Sequence, residues 1–247
     1  MAYLTFNRPH AKNAMTWAMY DALVDACEAV DADDRLRVLV LRSTGDVFIA
    51  GTDIRQFTTF MSGEDGIHYE RRLDAAIDRL ERVTVPTVAQ VHGVAAGGGC
   101  VIAMACDFRV CTMDAQFGVP IARTLGNCLS ASNCARLVDL IGPARTKDLL
   151  LTGRLMTASE AVALGLVTRV APSHELDDAV RELADGLRAN APLTLRATKE
   201  TLRRLADRRR LEPRAIDDLI GTCYASFDFR EGVAAFLDKR RPRFNGR

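Results

Sequence analysis

The sequence predicts an α/β fold, a strand-rich core followed by a helical C-terminal part. Short apolar runs of the kind that become buried strands alternate with helix-period segments through the first two thirds of the chain. After Gly126 the strand signal fades and one helical segment follows another. With 48% hydrophobic residues in 247, the chain can bury a substantial core without a disulfide or metal to staple it, which implies one domain with a helical appendage.

The clearest strands are Leu36 to Leu41, Pro86 to Val91 and Phe108 to Thr112. Thr16 is placed to cap a helix whose apolar positions Met19, Leu23, Ala26, Cys27 and Val30 recur at helical spacing, ending in the polar stretch 31–35. A second helix runs from about Gly66 to Arg82 with Leu73, Ile77 and Leu80 inward. Further on, Ser132 to Ile141, Ala144 to Leu151, Ala158 to Leu164, Glu175 to Leu187 and Thr194 to Leu205 all have helical spacing. No repeat of fixed period and no low-complexity linker divides the chain. The arginines at 203–204 and 208–210 are interrupted by Asp207 and Glu212, which favours a solvated helix end over a phosphate-binding patch.

Lys and Arg number 33 against 32 Asp and Glu, so there is no global field to draw nucleic acid or an anionic membrane. An anionic ligand must be held locally. Seven cysteines without C-x-x-C spacing suggest buried thiols in a reducing compartment rather than a zinc site or disulfide framework, and no metal is expected. The N-terminal segment lacks the features of a secretory leader, and no stretch reaches the ~18 apolar residues of a membrane span, so a soluble, cytoplasmic protein is expected.

Two segments carry the chemistry: Ile49-Ala50-Gly51-Thr52-Asp53-Ile54 and His92-Gly93-Val94-Ala95-Ala96-Gly97-Gly98-Gly99-Cys100. Each follows a predicted strand and leads into a helix. Consecutive glycines let the backbone approach a ligand, and the helix that follows aims free N–H groups and a partial positive charge at it. A Gly-Gly-Gly turn alone is equally a mark of tight packing; the pair of loops is what points to an oxyanion site. A phosphate loop is excluded, because neither G-x-G-x-x-G nor G-x-x-x-x-G-K-[ST] occurs.

Together with Asn7-Arg8-Pro9 near the start, Ala115-Gln116-Phe117 before Pro120, Leu151-Thr152-Gly153, and Phe236-Leu237-Asp238-Lys239-Arg240 near the end, the two loops resemble the enoyl-CoA hydratase/isomerase, or crotonase, family over nearly the whole chain. The resemblance implies a spiral of strand-strand-helix units over residues 1–190. It also implies a helical region at 191–247 used in trimerisation, in a homotrimer or a dimer of trimers. The expected ligand is an acyl-CoA thioester, with no separate cofactor, and the expected chemistry passes through a thioester enolate. On the family pattern the backbone N–H groups of Thr52 and Gly98 form the oxyanion hole. The pantetheine runs along Asp53, Ile54 and Arg55, the adenine lies near Ala50, and His10 and Lys12 lie near the phosphates. Phe236 and Lys239 match positions at which a neighbouring subunit closes over the nucleotide.

The pattern breaks at the acid/base groups. Hydratases of the family use one glutamate directly after the glycine run and another after the proline of the next loop; here those positions are Val101 and Ile121, neither of which carries a proton. Related isomerases place an acid near the position of Ser130. Asn127, Cys128 and Ser130 are therefore the substitute candidates. Cys128 qualifies only if its pKa is lowered, and His68 is a candidate base on the helix after the first loop. The expectation is a lyase or isomerase with non-standard acid/base residues; the alternative is a non-catalytic acyl-CoA binder or regulator.

Overall fold

Leu39-Val40-Leu41 is apolar at every position, a pattern suited to a strand covered on both faces. In the computed structural model, which describes residues 1–212 and 214–246, it belongs to β2 (Leu39–Ser43). This strand lies in a sheet with β1 (Ala2–Phe6), β3 (Thr87–Val91), β5 (Phe108–Thr112) and β8 (Arg169–Ala171). The order is β1-β2-β3-β5-β8 and every pairing is parallel. Alternate side chains divide between two cores. Leu39, Leu41, Ala89 and Val91 meet Leu23 and Cys27 of α1 (Trp17–Asp31) and Leu73, Ile77 and Leu80 of α2 (Gly63–Glu81). Val38, Val40, Val88 and Val110 meet Leu176, Val180, Ala184 and Leu187 of α7 (Leu176–Ala189).

A second, three-stranded sheet has the order β4-β6-β7, from β4 (Val94–Ala96), β6 (Gln116–Gly118) and β7 (Met156–Thr157). Each turn of the chain lays a strand in the large sheet, then one in the small sheet, then a helix: β3, β4 and α3 (Gly98–Ala105), followed by β5, β6 and α4 (Ile121–Thr124). The stretch after β2 makes the same turn, since Ile49 bridges Ala95 in parallel. The spiral brings the two sequence loops side by side.

The remaining elements are α5 (Ala131–Thr152), α6 (Ala158–Ala163), α8 (Pro192–Asp207), α9 (Asp217–Ala225) and α10 (Phe227–Leu237). Thr16 caps α1 as expected, its hydroxyl accepting the Met19 N–H. The strand expected at Leu36 begins three residues later, because its register is set by pairing Ala2 to Phe6 of β1 with Leu39 to Ser43, while Leu36 closes a turn onto Asp33. The helices expected at Ser132–Ile141 and Ala144–Leu151 run together in α5 across a kink at Gly142, whose φ of 75 precedes Pro143. The small-sheet strands have two or three residues each and leave no periodic trace in sequence.

The C-terminal helices close against α2. A Cβ at Gly66 would lie 2.1 Å from Cγ of Tyr224, so only glycine lets α9 sit this close. In the arginine-rich stretch Arg204, Arg208 and Arg209 are exposed, as a solvated helix end requires, whereas Arg203 binds Glu200 and Asp207, and Arg210 binds Glu81, which also receives the buried Arg136 at 2.7 Å. In contrast, α8 has no buried residue and exposes Leu193, Leu202 and Leu205. Among the described residues no helix is long and apolar enough to cross a membrane.

Candidate active site

The two loops are stitched together by backbone hydrogen bonds, Ile49 N–H to Val94 O and Ala96 N–H to Ile49 O. Gly97 has φ 51 and ψ −124, a conformation closed to residues with a Cβ, and its N–H bonds Gly118 O; this turns Gly98 toward the first loop. Gly98 is the first residue of α3, where a helix N–H has no intrahelical partner. Among the described residues, no backbone carbonyl takes the N–H of Thr52 or of Gly98. A Cβ on Gly98 would lie 3.7 Å from Thr52 N and 2.6 Å from Tyr20 Oη. Two unspent donors thus lie side by side at a helix N-terminus, an arrangement that can hold an oxygen acquiring negative charge.

Both residues line a cavity of about 560 Å³. Its rim carries exposed Arg55, Lys12, His10 and Lys239, with Arg8 half-buried. Asp53 is the acidic residue of that rim, and its carboxylate is held between Arg55 (2.7 Å) and Arg8 (2.8 Å), which keeps it down at about 2. The cations at the mouth supply a local field for an anionic ligand that the nearly neutral chain as a whole lacks. The inner wall is formed by Phe57, Tyr69, Pro120, Ile121, Thr124, Leu125 and Asn127.

His10, Lys12, Ala50, Thr52, Asp53, Ile54, Arg55, Gly98, Ile121, Asn127, Phe236 and Lys239 all line this one cavity. Phe236, Leu237 and Lys239 reach it from α10 and its end within the same chain, whereas the resemblance assigned that closure to a neighbouring subunit. Other expected residues lie elsewhere. Val101 is fully buried in α3, behind the wall. Ser130 is 3% exposed and caps α5, accepting the Asn133 N–H while donating to Asp74 at 2.7 Å; its hydroxyl is spent on structure. The neighbouring Cys223 thiol and burial push the Cys128 thiol up, the opposite of what an acid/base thiol needs. His68 lies on the solvent side of α2, paired with Glu64 at 3.2 Å, and does not line the cavity. His92 binds Gly45 O at 2.7 Å, the structural role its position suggests.

The structure adds residues that motif reading missed. Thr52 Oγ1 lies 2.8 Å from Tyr20 Oη and 2.8 Å from Tyr69 Oη, a chain of three hydroxyls beside the two N–H donors. Behind the wall, the Tyr224 hydroxyl donates to Glu70 Oε1 at 2.6 Å and accepts from Asn127 Nδ2 at 2.9 Å. Glu70 is 2% exposed, and burial pushes its carboxyl up to about 8 despite the tyrosine hydrogen bond. Asp74 is raised to about 6, again by burial, with the Ser130 hydroxyl opposing. One signal for this cluster was legible: Glu70 continues the inward series Leu73, Ile77, Leu80 at helical spacing, a carboxylate on an apolar face. The pairing partners come from distant segments and leave no local mark.

A spiral of strand-strand-helix turns that aligns two backbone donors beneath a cation-rimmed cavity defines a protein of the crotonase class. The sequence pattern of the enoyl-CoA hydratase/isomerase family matches residues 1–247, and the chain belongs to that family. It is 36% identical to enoyl-CoA hydratase EchA19 of Mycobacterium tuberculosis, covering 99% of this chain and 92% of that one. It is 34% identical to a crotonyl-CoA hydratase of Syntrophomonas wolfei, covering 99% and 94%. Among solved structures it is similar to a methylmalonyl-CoA decarboxylase in complex with 2-nitronate-propionyl-CoA, with TM-score 0.91 at 27% identity over 99% and 95% of the chains. It is also similar to an enoyl-CoA hydratase/carnithine racemase from Magnetospirillum magneticum, with TM-score 0.80 at 33% identity over 99% and 92%.

Proposed function

We propose that this protein is an acyl-CoA lyase that works through a thioester enolate without a carboxylate base, and that its reaction is loss of CO2 from a 2-carboxyacyl-CoA. The observation that carries this reading is the composition of the inner cavity wall. Thr52 and Gly98 offer N–H donors beside Ile121 and Leu125, while the carboxylate that lines the cavity, Asp53, is held between Arg55 and Arg8 and its imidazole, His10, is exposed at the mouth. Hydration and isomerisation both need a group that removes a proton. Decarboxylation does not: the bond from C2 to the carboxylate breaks, and its electron pair moves into the C1–C2 bond and onto the thioester oxygen. Two fixed N–H donors stabilise that charge without reorganising; losing one such donor costs roughly 10²–10³-fold in rate in acyl-transfer enzymes. The backbone similarity to the methylmalonyl-CoA decarboxylase structure supports this choice. The CoA phosphates would be held by Arg8, Lys12, Arg55 and Lys239, and Asp53 would orient two of these cations.

The apolar residues Val101 and Ile121 also favour a second reading, a binder that carries acyl-CoA without transforming it. A panel of 2-carboxyacyl-, enoyl- and 3-hydroxyacyl-CoA thioesters, followed by mass spectrometry and CO2 release, separates the alternatives. Turnover confined to the 2-carboxyacyl thioesters is the expected result. Hydration of an enoyl thioester would overturn the base-free mechanism, and tight binding with no turnover of any thioester would make the protein a carrier.

A further inference from the structure

We infer that Tyr69 is a catalytic residue, the proton donor that quenches the thioester enolate at C2. The inference rests on the proposal above that an enolate forms at Thr52 and Gly98. Its own support is a count of hydrogens. Tyr20, Thr52 and Tyr69 are joined by two contacts of 2.8 Å, so three hydroxyl hydrogens serve two links and one is left over. Tyr20 is 1% exposed, and among the described residues Thr52 is its one hydrogen-bonding partner. If Tyr20 accepted from Thr52, its own hydrogen would be stranded in the core, at a cost of about 1–3 kcal/mol. Tyr20 therefore donates to Thr52, and the second link runs either from Thr52 to Tyr69 or from Tyr69 to the remaining lone pair of Thr52. In the first arrangement the spare hydrogen is on Tyr69, which lines the cavity with Thr52 and Gly98.

Two further features fit a proton donor. Of the titratable side chains that line the cavity, only Asp53 and Tyr69 are buried, and Asp53 is locked between two arginines. The Tyr69 ring is also fixed, with Phe57 edge-on at 4.9 Å and Trp17 at 5.6 Å between centroids. Burial raises the phenol well above its ordinary value, so it stays protonated at working pH. In the step itself, the electron pair at C2 takes the proton from Tyr69 Oη. The phenolate left behind keeps the hydrogen bond it already accepts from Thr52, whose oxygen accepts from Tyr20, and solvent water returns the proton when the product leaves. With Thr52 donating to Tyr69, no hydroxyl has to turn.

The test is decarboxylation of 2-methylmalonyl-CoA in D2O by wild type, Tyr69→Phe and Tyr20→Phe, with propionyl-CoA affinity measured by calorimetry on each. Wild type should give propionyl-CoA with deuterium at C2 in a single configuration. Tyr69→Phe should bind propionyl-CoA as wild type does, lose roughly 10²-fold or more in kcat with KM nearly unchanged, and give racemic deuterium at C2. Tyr20→Phe, which leaves Thr52 free to point either way, should lose severalfold in kcat and keep the configuration. If wild type turns over and Tyr69→Phe matches it within threefold with the configuration retained, Tyr69 is not the donor although the enolate reading stands. If wild type turns over no thioester at all, that reading fails and the role of Tyr69 falls with it.

Discussion

At position 70 the chain places a carboxyl group where an apolar side chain would cost nothing, on the buried face of α2. Burial moves it from 4.5 to about 8, and the sign of the consequence is definite. Between those values the unfolded chain has lost its proton while the folded chain keeps it, so the folded state binds more protons and stability falls as pH rises. Below about 4.5 both states are neutral, and above about 8 both are charged. Glu70→Gln, a neutral isostere that can still accept from Tyr224, should therefore match wild type most closely near pH 5 and exceed it increasingly toward pH 8, by a few kcal/mol at most. Urea denaturation of both proteins at pH 5 and pH 8 checks this; a gap of the same size at both would show that Glu70 is charged in the folded protein. The same scale holds the main gap in motif reading. Thr52 and Gly98 could be singled out because the family resemblance is carried by two short segments in a fixed local order. Tyr20, Tyr69, Asp74 and Tyr224 could not, because their relation to the site is a set of contacts between helices far apart in the chain.

Among elements, α5 shows how one residue can bend a helix. Gly142 combines φ 75 with ψ 162, a conformation essentially restricted to glycine, and a Cβ there would meet nothing within 4 Å. Gly142→Ala is therefore a test of backbone strain free of steric clash. It should lower stability by about 1–3 kcal/mol, measured by urea denaturation, and leave acyl-CoA affinity unchanged, since α5 does not line the cavity. A loss of affinity would mean that the kink positions the wall at Ile121 to Asn127 through the start of α5. Helical spacing alone found both halves of α5, and the structure joins them across the kink at Gly142. The inner large-sheet strands β2, β3 and β5 were legible for a similar reason, since strands buried on both faces must be continuously apolar, whereas the edge strands β1 and β8 are only partly buried and were not legible. The small-sheet strands were not, because two or three residues are too few to show a period.

Over the whole molecule, the surface of α8 stands out: Leu193, Leu202 and Leu205 are exposed on a helix with no buried residue. The family resemblance implies that this C-terminal region packs in a trimer. On that basis we expect sedimentation or light scattering to give a mass of three chains or a multiple of three, and the double variant Leu202→Glu with Leu205→Glu to shift it toward the single chain. An unchanged mass would place the contact elsewhere. In the single chain Phe236 and Lys239 already close the mouth of the cavity. If the monomeric variant keeps acyl-CoA affinity, that closure belongs to the chain itself.

By itself the sequence determined the fold class, the two loops that carry the paired N–H groups, and the side chains that cannot act as acid or base at positions 101 and 121. All three are written locally, in periodicity, in glycine runs and in the identity of single residues. Only the tertiary structure decided which polar groups are free to act. Ser130 proved committed to Asp74 and to its own helix, His68 faced solvent, and the Cys128 thiol was pushed up beside Cys223. Tyr69 was brought to the cavity next to Thr52. Whether a hydroxyl, thiol or carboxyl is spent or available depends on the partner that folding brings beside it, and that partner is seldom its neighbour in the chain.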